Sequence, residues 1–582
     1  MKLRKIYTSA GILLLSLFCI GDAVAKDAKF ETGVSFGSTG ADEPYSSLTD
    51  KDGNYYISGM CRGDVEFAGG ATIKGRGGMD AVIVKYDAEL NFLWARAVGG
   101  SKDDTFERIA VTSAGDIVAV GKISGDITID GTDQTLSGTQ STDGCIVVYD
   151  KDGNYKSSAQ IKAAGASLCY SVAVDKSDNI FVTGSTVGAT DFGNEKTVTI
   201  EGSNPGTFLA CYNNSLVCQW AIAGSSPVQS YGWAVNFDKE ENILLTGRFG
   251  TTFTITGTDG EALTTAVGSE SSQDTYVAKL SHEGVGQWIT YVTNSNRIDT
   301  RSIDSDSQGN VYIWGHCQSA VTPEGQSPLG FNGNFDSFLI KYSSAGAYLD
   351  GMNLGGSGRD EAKSLFVDAD DNIYVAGNVN GDGSKGGTAV NMNPRGESKD
   401  YTFKGHDGYV AKYNGSTWEL MQLEKTVTPD NANQHEVAWC VTMSPDYNKV
   451  YVTGYFNNGA TIFDGASLTL PFVRDYDIYT VLYSYTLMVK TKTLEPGVAN
   501  EPYYSNIVVD NVEGAVKFEI VSGTLPDGIT LSKDGAFAGT PTKNGSYTFT
   551  VKISDDVSSI QKEYTLVIKS GEGCDVFIVT DQ

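Results

Sequence analysis

The chain has 582 residues, too many for one ordinary core, so two or more folding units are expected. Hydrophobic residues make up 40% and aromatic residues 10%, enough for packed cores, which excludes a disordered chain. A net charge of −28 with no basic stripe excludes nucleic acid and anionic membrane surfaces as partners.

In chain order, residues 1–25 read as an export signal. Lys2, Arg4 and Lys5 give a positive start, residues 6–20 are apolar but too short to span a bilayer, and Ala23-Val24-Ala25 is a small-x-small cleavage pattern. Cys19 follows Phe18, where lipoprotein processing needs a small side chain. No later segment resembles a transmembrane helix. The mature chain is therefore expected to be periplasmic, at the cell surface or extracellular.

From residue 29 onward the sequence repeats itself. One segment recurs seven times: DAVIVKY at 80, DGCIVVY at 143, GTFLACY at 206, DTYVAKL at 274, DSFLIKY at 336, DGYVAKY at 407 and DIYTVLY at 477. Apolar alternation over seven residues reads as a strand, and starts lie about 60 to 70 residues apart. A second segment runs ahead of it and ends at Gly59, Gly121, Gly184, Gly247, Gly315, Gly377 and Gly454. A strand precedes that segment, and another follows most copies of the first. Four antiparallel strands in each of seven units predict a seven-bladed β-propeller over 29–487. The last unit holds only three strands, and the segment beginning at Phe30 aligns with the fourth strand beginning at Phe92. The N-terminal strand is therefore expected to complete the seventh blade.

These motifs resemble the bacterial SBBP-type β-propeller repeat family, through D-x-x-G-N-x-Y-V-x-G, D-x-F/Y-V-x-K-Y and an opening Gly-Gly element. Gly99-Gly100 with Asp103, and Gly355-Gly356 with Asp360, match that opening. The resemblance implies a scaffold and no common activity.

At about Lys490 the period changes. The stretch 497–568, with turns at Pro526-Asp527-Gly528 and Lys533-Asp534-Gly535, looks like the immunoglobulin-like module of exported bacterial proteins. An Ig-like β-sandwich is expected over 490–570, and the tail 571–582 is unassigned. The expected fold class is all-β.

Residues for chemistry are sparse. Asp304, Asp306 and Gln308 have the early oxygen spacing of a calcium loop, but the twelfth position is Gly315 rather than an acid. Calcium is thus weighed there against a plain hairpin turn, and no other cofactor is expected. Cys211 and Cys218 would face each other across a short hairpin, which makes them the candidate disulfide. The four histidines fall in different blades with no metal-ligand spacing, and their expected place is on loops or the surface. No catalytic motif is present, so no catalytic or cofactor-binding residue is assigned. The long connections between second and third strands, such as 122–142 and 248–273, lie on one face and are the expected binding surface. The reading that follows is an exported, non-enzymatic interaction scaffold binding a protein or glycan. A carbohydrate-active enzyme at the propeller mouth is the rival, and a structural envelope component is a third.

Overall fold

The structure, a computed structural model, describes residues 28–570 apart from 68–69, 267–272, 381–387, 404, 428–434, 458–461, 464–469, 471–474, 486, 490, 492, 513 and 556–558. The expected signal at 1–25 and the tail 571–582 lie outside the described residues. The described residues are all-β, and none of their segments is a helix long and apolar enough to cross a membrane.

Antiparallel units of four strands follow one another along the chain. Their first strands are Glu43–Thr49, Thr105–Val111, Ser167–Val174, Ser230–Phe237, Ile298–Ser305, Glu361–Val367 and Glu436–Met443. Consecutive first strands lie side by side, and the last lies against the first, so they close a ring. The units radiating from it are the blades of a β-propeller, numbered here from Glu43. Blades pack through layers such as Val118, Val120 and Ile146 of one against Val182, Phe208 and Tyr212 of the next.

The strand Lys29–Phe36 is the outer strand of the last blade. It pairs antiparallel with Asp477–Ser484, Lys29 opposite Ser484 and Phe36 opposite Ile478. The first described strand thus covers an edge that the end of the propeller would otherwise expose.

The recurring acids and lysines are two halves of one device. Asp50 accepts the backbone N–H groups of Asp52 and Asn54 at 3.0 and 2.9 Å, and Asn54 Nδ2 at 2.8 Å. Asp150, Asp175, Asp306 and Asp368 close their turns in the same way. The lysine of the third strand returns to this turn. Lys279 Nζ lies 2.6 Å from Asp238, and Lys341 Nζ lies 3.1 Å from Asp306. The D-x-x-G-N turn and the K-Y strand are therefore conjugate parts of an ion-paired corner.

The opening Gly-Gly element is a clamp on the blade connection. Asp360 accepts from Gly356 N–H and Asn380 N–H, while Asp104 accepts from Gly100 N–H and Ser124 N–H. The clamp is therefore Asp104 rather than the expected Asp103, which instead accepts from Met79 N–H. Ser167 and Ser230 stand at the matching positions of the connections after Asp104 and accept instead from the third-strand Gly144 N–H and Thr207 N–H.

These clamps set a pH dependence. Burial pushes Asp104 and Asp360 up to about 7, and Asp42 and Asp336 up to about 6, against their hydrogen bonds. The stability they contribute is complete below the unfolded carboxyl range near ~4 and is lost as pH rises through 6–7. Asp299 and Glu361 are held low, so theirs is lost only as pH falls below that range. The melting temperature is expected to peak near pH 5 and fall toward pH 8. An Asp104→Asn, Asp360→Asn chain should start lower with a flatter alkaline limb. A melting temperature that climbs from pH 5 to pH 8 would refute this.

Parts of the described long connections are paired. Several fold back to extend the outer strand of the preceding blade. Ile129 pairs with Val98, Asp191 with Lys162, Ile255 with Gly224, and Pro323 with Val292. Length and variability in these segments reflect edge protection.

The expected Cys211–Cys218 disulfide is not formed. Cys211 stands opposite Trp220 and Cys218 opposite Tyr212, so the two do not face one another. Their thiols are free and pack into different cores on opposite faces of the blade.

Beyond the propeller, a four-stranded and a three-stranded sheet enclose Phe537, Phe549, Val551, Tyr564 and Leu566. Gly528 and Gly535 take φ of 93° and 84° in the two predicted turns, which a side chain would strain.

Candidate functional site at the channel mouth

Every first strand carries a β-bulge at its third or fourth residue. In the first blade Pro44 pairs with Gly59 and Ser46 with Ser58, leaving Tyr45 unpaired. The same step leaves out Glu107, Tyr170, Trp233, Arg301, Lys363 and Trp439. A bulge re-aims a side chain, and here all seven point into the central channel. They are half-buried, and with Arg108, Ser364 and Cys440 they line a pocket at the channel mouth.

The motif glycine inside each second strand makes this possible. A Cβ on any of them would overlap the carbonyl oxygen two residues before the bulge: Glu43 for Gly59, Leu168 for Gly184, Tyr231 for Gly247 and Val437 for Gly454, for example. The repeat motif's glycine thus positions the channel residues.

The ring is polarised. On one arc Trp233, Arg301, Lys363 and Trp439 are neighbours. Arg301 lies over the Trp233 ring at 5.4 Å, and Lys363 Nζ over the Trp439 ring at 4.1 Å. Tyr231 stacks on Trp233 at 5.5 Å, and Arg248 lies 4.8 Å from the Tyr231 ring. On the opposite arc stand Tyr45, Glu107 and Tyr170. Tyr45 donates to Glu43, and Thr105 Oγ1 donates to Glu107 at 2.8 Å. Burial raises the Glu107 carboxyl against that bond and the charges of Lys122, Arg301 and Arg108. Burial also works to raise Glu361, but Lys363, 2.7 Å away, with His316 and Arg359, holds it well below the usual range.

Arg108 crosses beneath the ring, its Nη2 3.4 Å from the Arg301 carbonyl on the far side of the channel. Among the described residues, neither Arg108 nor Arg301 has an ion pair, and their Nε atoms and Trp233 Nε1 are buried without hydrogen-bond partners. Below lies a chamber lined largely by small polar groups, including Ser46, Ser171, Ser302 and Ser364.

The residues weighed for calcium are not brought together as a site. Asp306 spends its carboxylate on Gln308 N–H, Asn310, Tyr312 and Lys341, whose ammonium stands where a cation would bind. Asp304 turns into the channel wall and accepts from Val367 N–H and Asn236 Nδ2; burial pushes it up to about 6. Gln308 is exposed. The histidines are less peripheral than expected. His316 is buried 3.6 Å from Asp299, and His282 bonds Asp175 at 2.6 Å.

The sequence does hold a signal for the ring. The bulged residue of each first strand swaps among Tyr, Glu, Trp, Arg and Lys, while the residue after it is mostly small.

Two family profiles match. The β-propeller repeat SBBP covers residues 158–193, and the profile described as "Putative Ig domain" covers 480–569. The chain is a propeller-repeat protein with an Ig-like domain. An uncharacterized WD repeat-containing protein of Acanthamoeba polyphaga mimivirus is 21% identical over 435 residues, 61% of this chain but only 31% of that protein. Among solved structures, a streptogramin B lyase aligns over 77% of this chain and 97% of its own, at 10% identity and a TM-score of 0.33. The periplasmic gluconolactonase of Pseudomonas aeruginosa aligns over 72% and 98%, at 10% identity and a TM-score of 0.35.

Proposed function

We propose that the propeller-repeat protein is an exported binding scaffold that takes a glycan at its channel mouth, with the Ig-like domain as spacer. The ring of seven bulged side chains carries this reading. Aromatic faces beside hydrogen-bonding and charged groups in a concave site are what sugar rings need from a protein. The expected binding surface moves from the long connections, parts of which are occupied in strand pairing, to the first strands themselves. A glycan array followed by calorimetry tests it. Trp233→Ala and Trp439→Ala should each weaken binding about tenfold, by loss of stacking, without shifting the melting temperature by more than a few degrees. Undiminished binding by both variants would place the site elsewhere.

One observation favours the carbohydrate-active enzyme as the second reading. Glu107 lines the channel mouth and burial pushes its carboxyl up, as a general acid requires. Release of reducing ends or unsaturated sugars, abolished by Glu107→Gln, is its expected signature.

A further inference from the structure

We infer that the ligand is an acidic sugar, held by its carboxylate or sulfate on Arg301 and Lys363 between the indoles of Trp233 and Trp439. This rests on the proposed glycan-binding role and goes on to assign the chemical class.

The chain carries −28 overall, yet the channel mouth gathers Arg108, Arg301 and Lys363 on its lining, with Arg248 stacked behind them. Lys363 is paired with Glu361, and Arg248 with Asp299 at 3.1 Å. Arg301 and Arg108 have no such partner among the described residues. Arg301 feels the charges of Asp299 and Glu107 from beyond ion-pair distance, and a carboxylate or sulfate entering the channel would supply the close anion that its guanidinium lacks. The buried Nε of Arg301 and Nε1 of Trp233 are donors without an acceptor on the same arc.

Shape supports a ring-shaped anion over a small ion. The two cations lie over the rings of the two indoles that flank them, so an anion held there sits against an aromatic wall rather than in open solvent. On the opposite arc Tyr45, Glu107 and Tyr170 present hydroxyl and carboxyl groups to neutral sugar hydroxyls. A free phosphate or sulfate would use the first arc and leave the second without a role.

Calorimetry with trigalacturonic acid, its carboxyl-reduced neutral counterpart and a sulfated chondroitin tetrasaccharide, beside the glycan array, decides the matter. Binding is expected to be at least about tenfold tighter for an acidic than for a matched neutral sugar. It should weaken between 50 and 300 mM salt (about the range over which screening sets in) and be lost about tenfold or more in Arg301→Met or Lys363→Met. Preference between the uronate and the sulfated sugar distinguishes the two anions. Equal binding of acidic and neutral sugars, or no salt dependence in the unaltered chain, overturns the inference but leaves glycan binding standing. Those two measurements need no variant, so misfolding of Arg301→Met cannot mask the result. Absence of any glycan binding overturns both, and binding of inorganic sulfate as tight as the sugars reduces the site to an anion trap.

Discussion

Deleting residues 29–36 is expected to destabilise the propeller by at least ~5 kcal/mol, and a peptide of residues 28–42 added in trans should restore part of the loss. The estimate follows from what the strand covers. It is registered against Asp477–Ser484 from end to end, and every residue of that partner is buried. Phe36 is 5% exposed and meets Phe67 at 5.2 Å, so its loss alone is a Phe→Ala-class change of ~3–5 kcal/mol. Ala28 is held from both sides by Gln422, whose Oε1 accepts from Ala28 N–H and whose Nε2 donates to Ala28 O. Without the strand, Asp477–Ser484 becomes an open edge, and self-association should appear alongside the lower melting temperature. Denaturant melts and light scattering of the two chains measure both effects. An unchanged midpoint in the deleted chain would mean that the last blade does not depend on this strand.

How far the sequence reveals this molecule depends on whether a feature repeats. The strands and turns repeat, so errors in one copy are corrected by six others, and the closing strand at Phe30 is found by counting what the last unit lacks. Single features fare worse. The Cys211–Cys218 pairing assumed that two cysteines across a hairpin share a face, but an irregularity between Cys211 and Tyr212 sets Cys218 against Tyr212. Asp304 and Asp306 resemble a calcium loop in spacing, yet strand alternation at Asp304 and a turn at Asp306 send their carboxylates to different partners. The channel ring was hidden for another reason. A bulge adds one residue to a strand, so its side chain breaks the alternation by which buried positions are recognised. The local traces are a large side chain followed by a small one, and the glycine opposite, which reads as a strand terminator until its contacts are known.

That glycine gives the second large effect. Gly247→Ala is expected to cost ~3 kcal/mol, the upper end for overpacking, and to weaken glycan binding together with stability. The added Cβ would meet the Tyr231 carbonyl oxygen, backbone that cannot turn aside as a side chain can, and the Tyr276 hydroxyl. Relief requires the first strand to move, and Tyr231 and the bulged Trp233 move with it. Gly330→Ala is the control. No atom lies within 4 Å of its added Cβ, so a change within about 0.5 kcal/mol is expected. The coupling of bulge to site is read from a double variant. If Gly247→Ala acts on binding by displacing Trp233, then adding Trp233→Ala should lose little further affinity, because both changes remove the same stacking face. Fully additive losses in binding would separate the glycine from the site and leave it a packing residue alone. A Gly247→Ala chain that melts with the unaltered one would mean that the bulge does not need the missing Cβ at all.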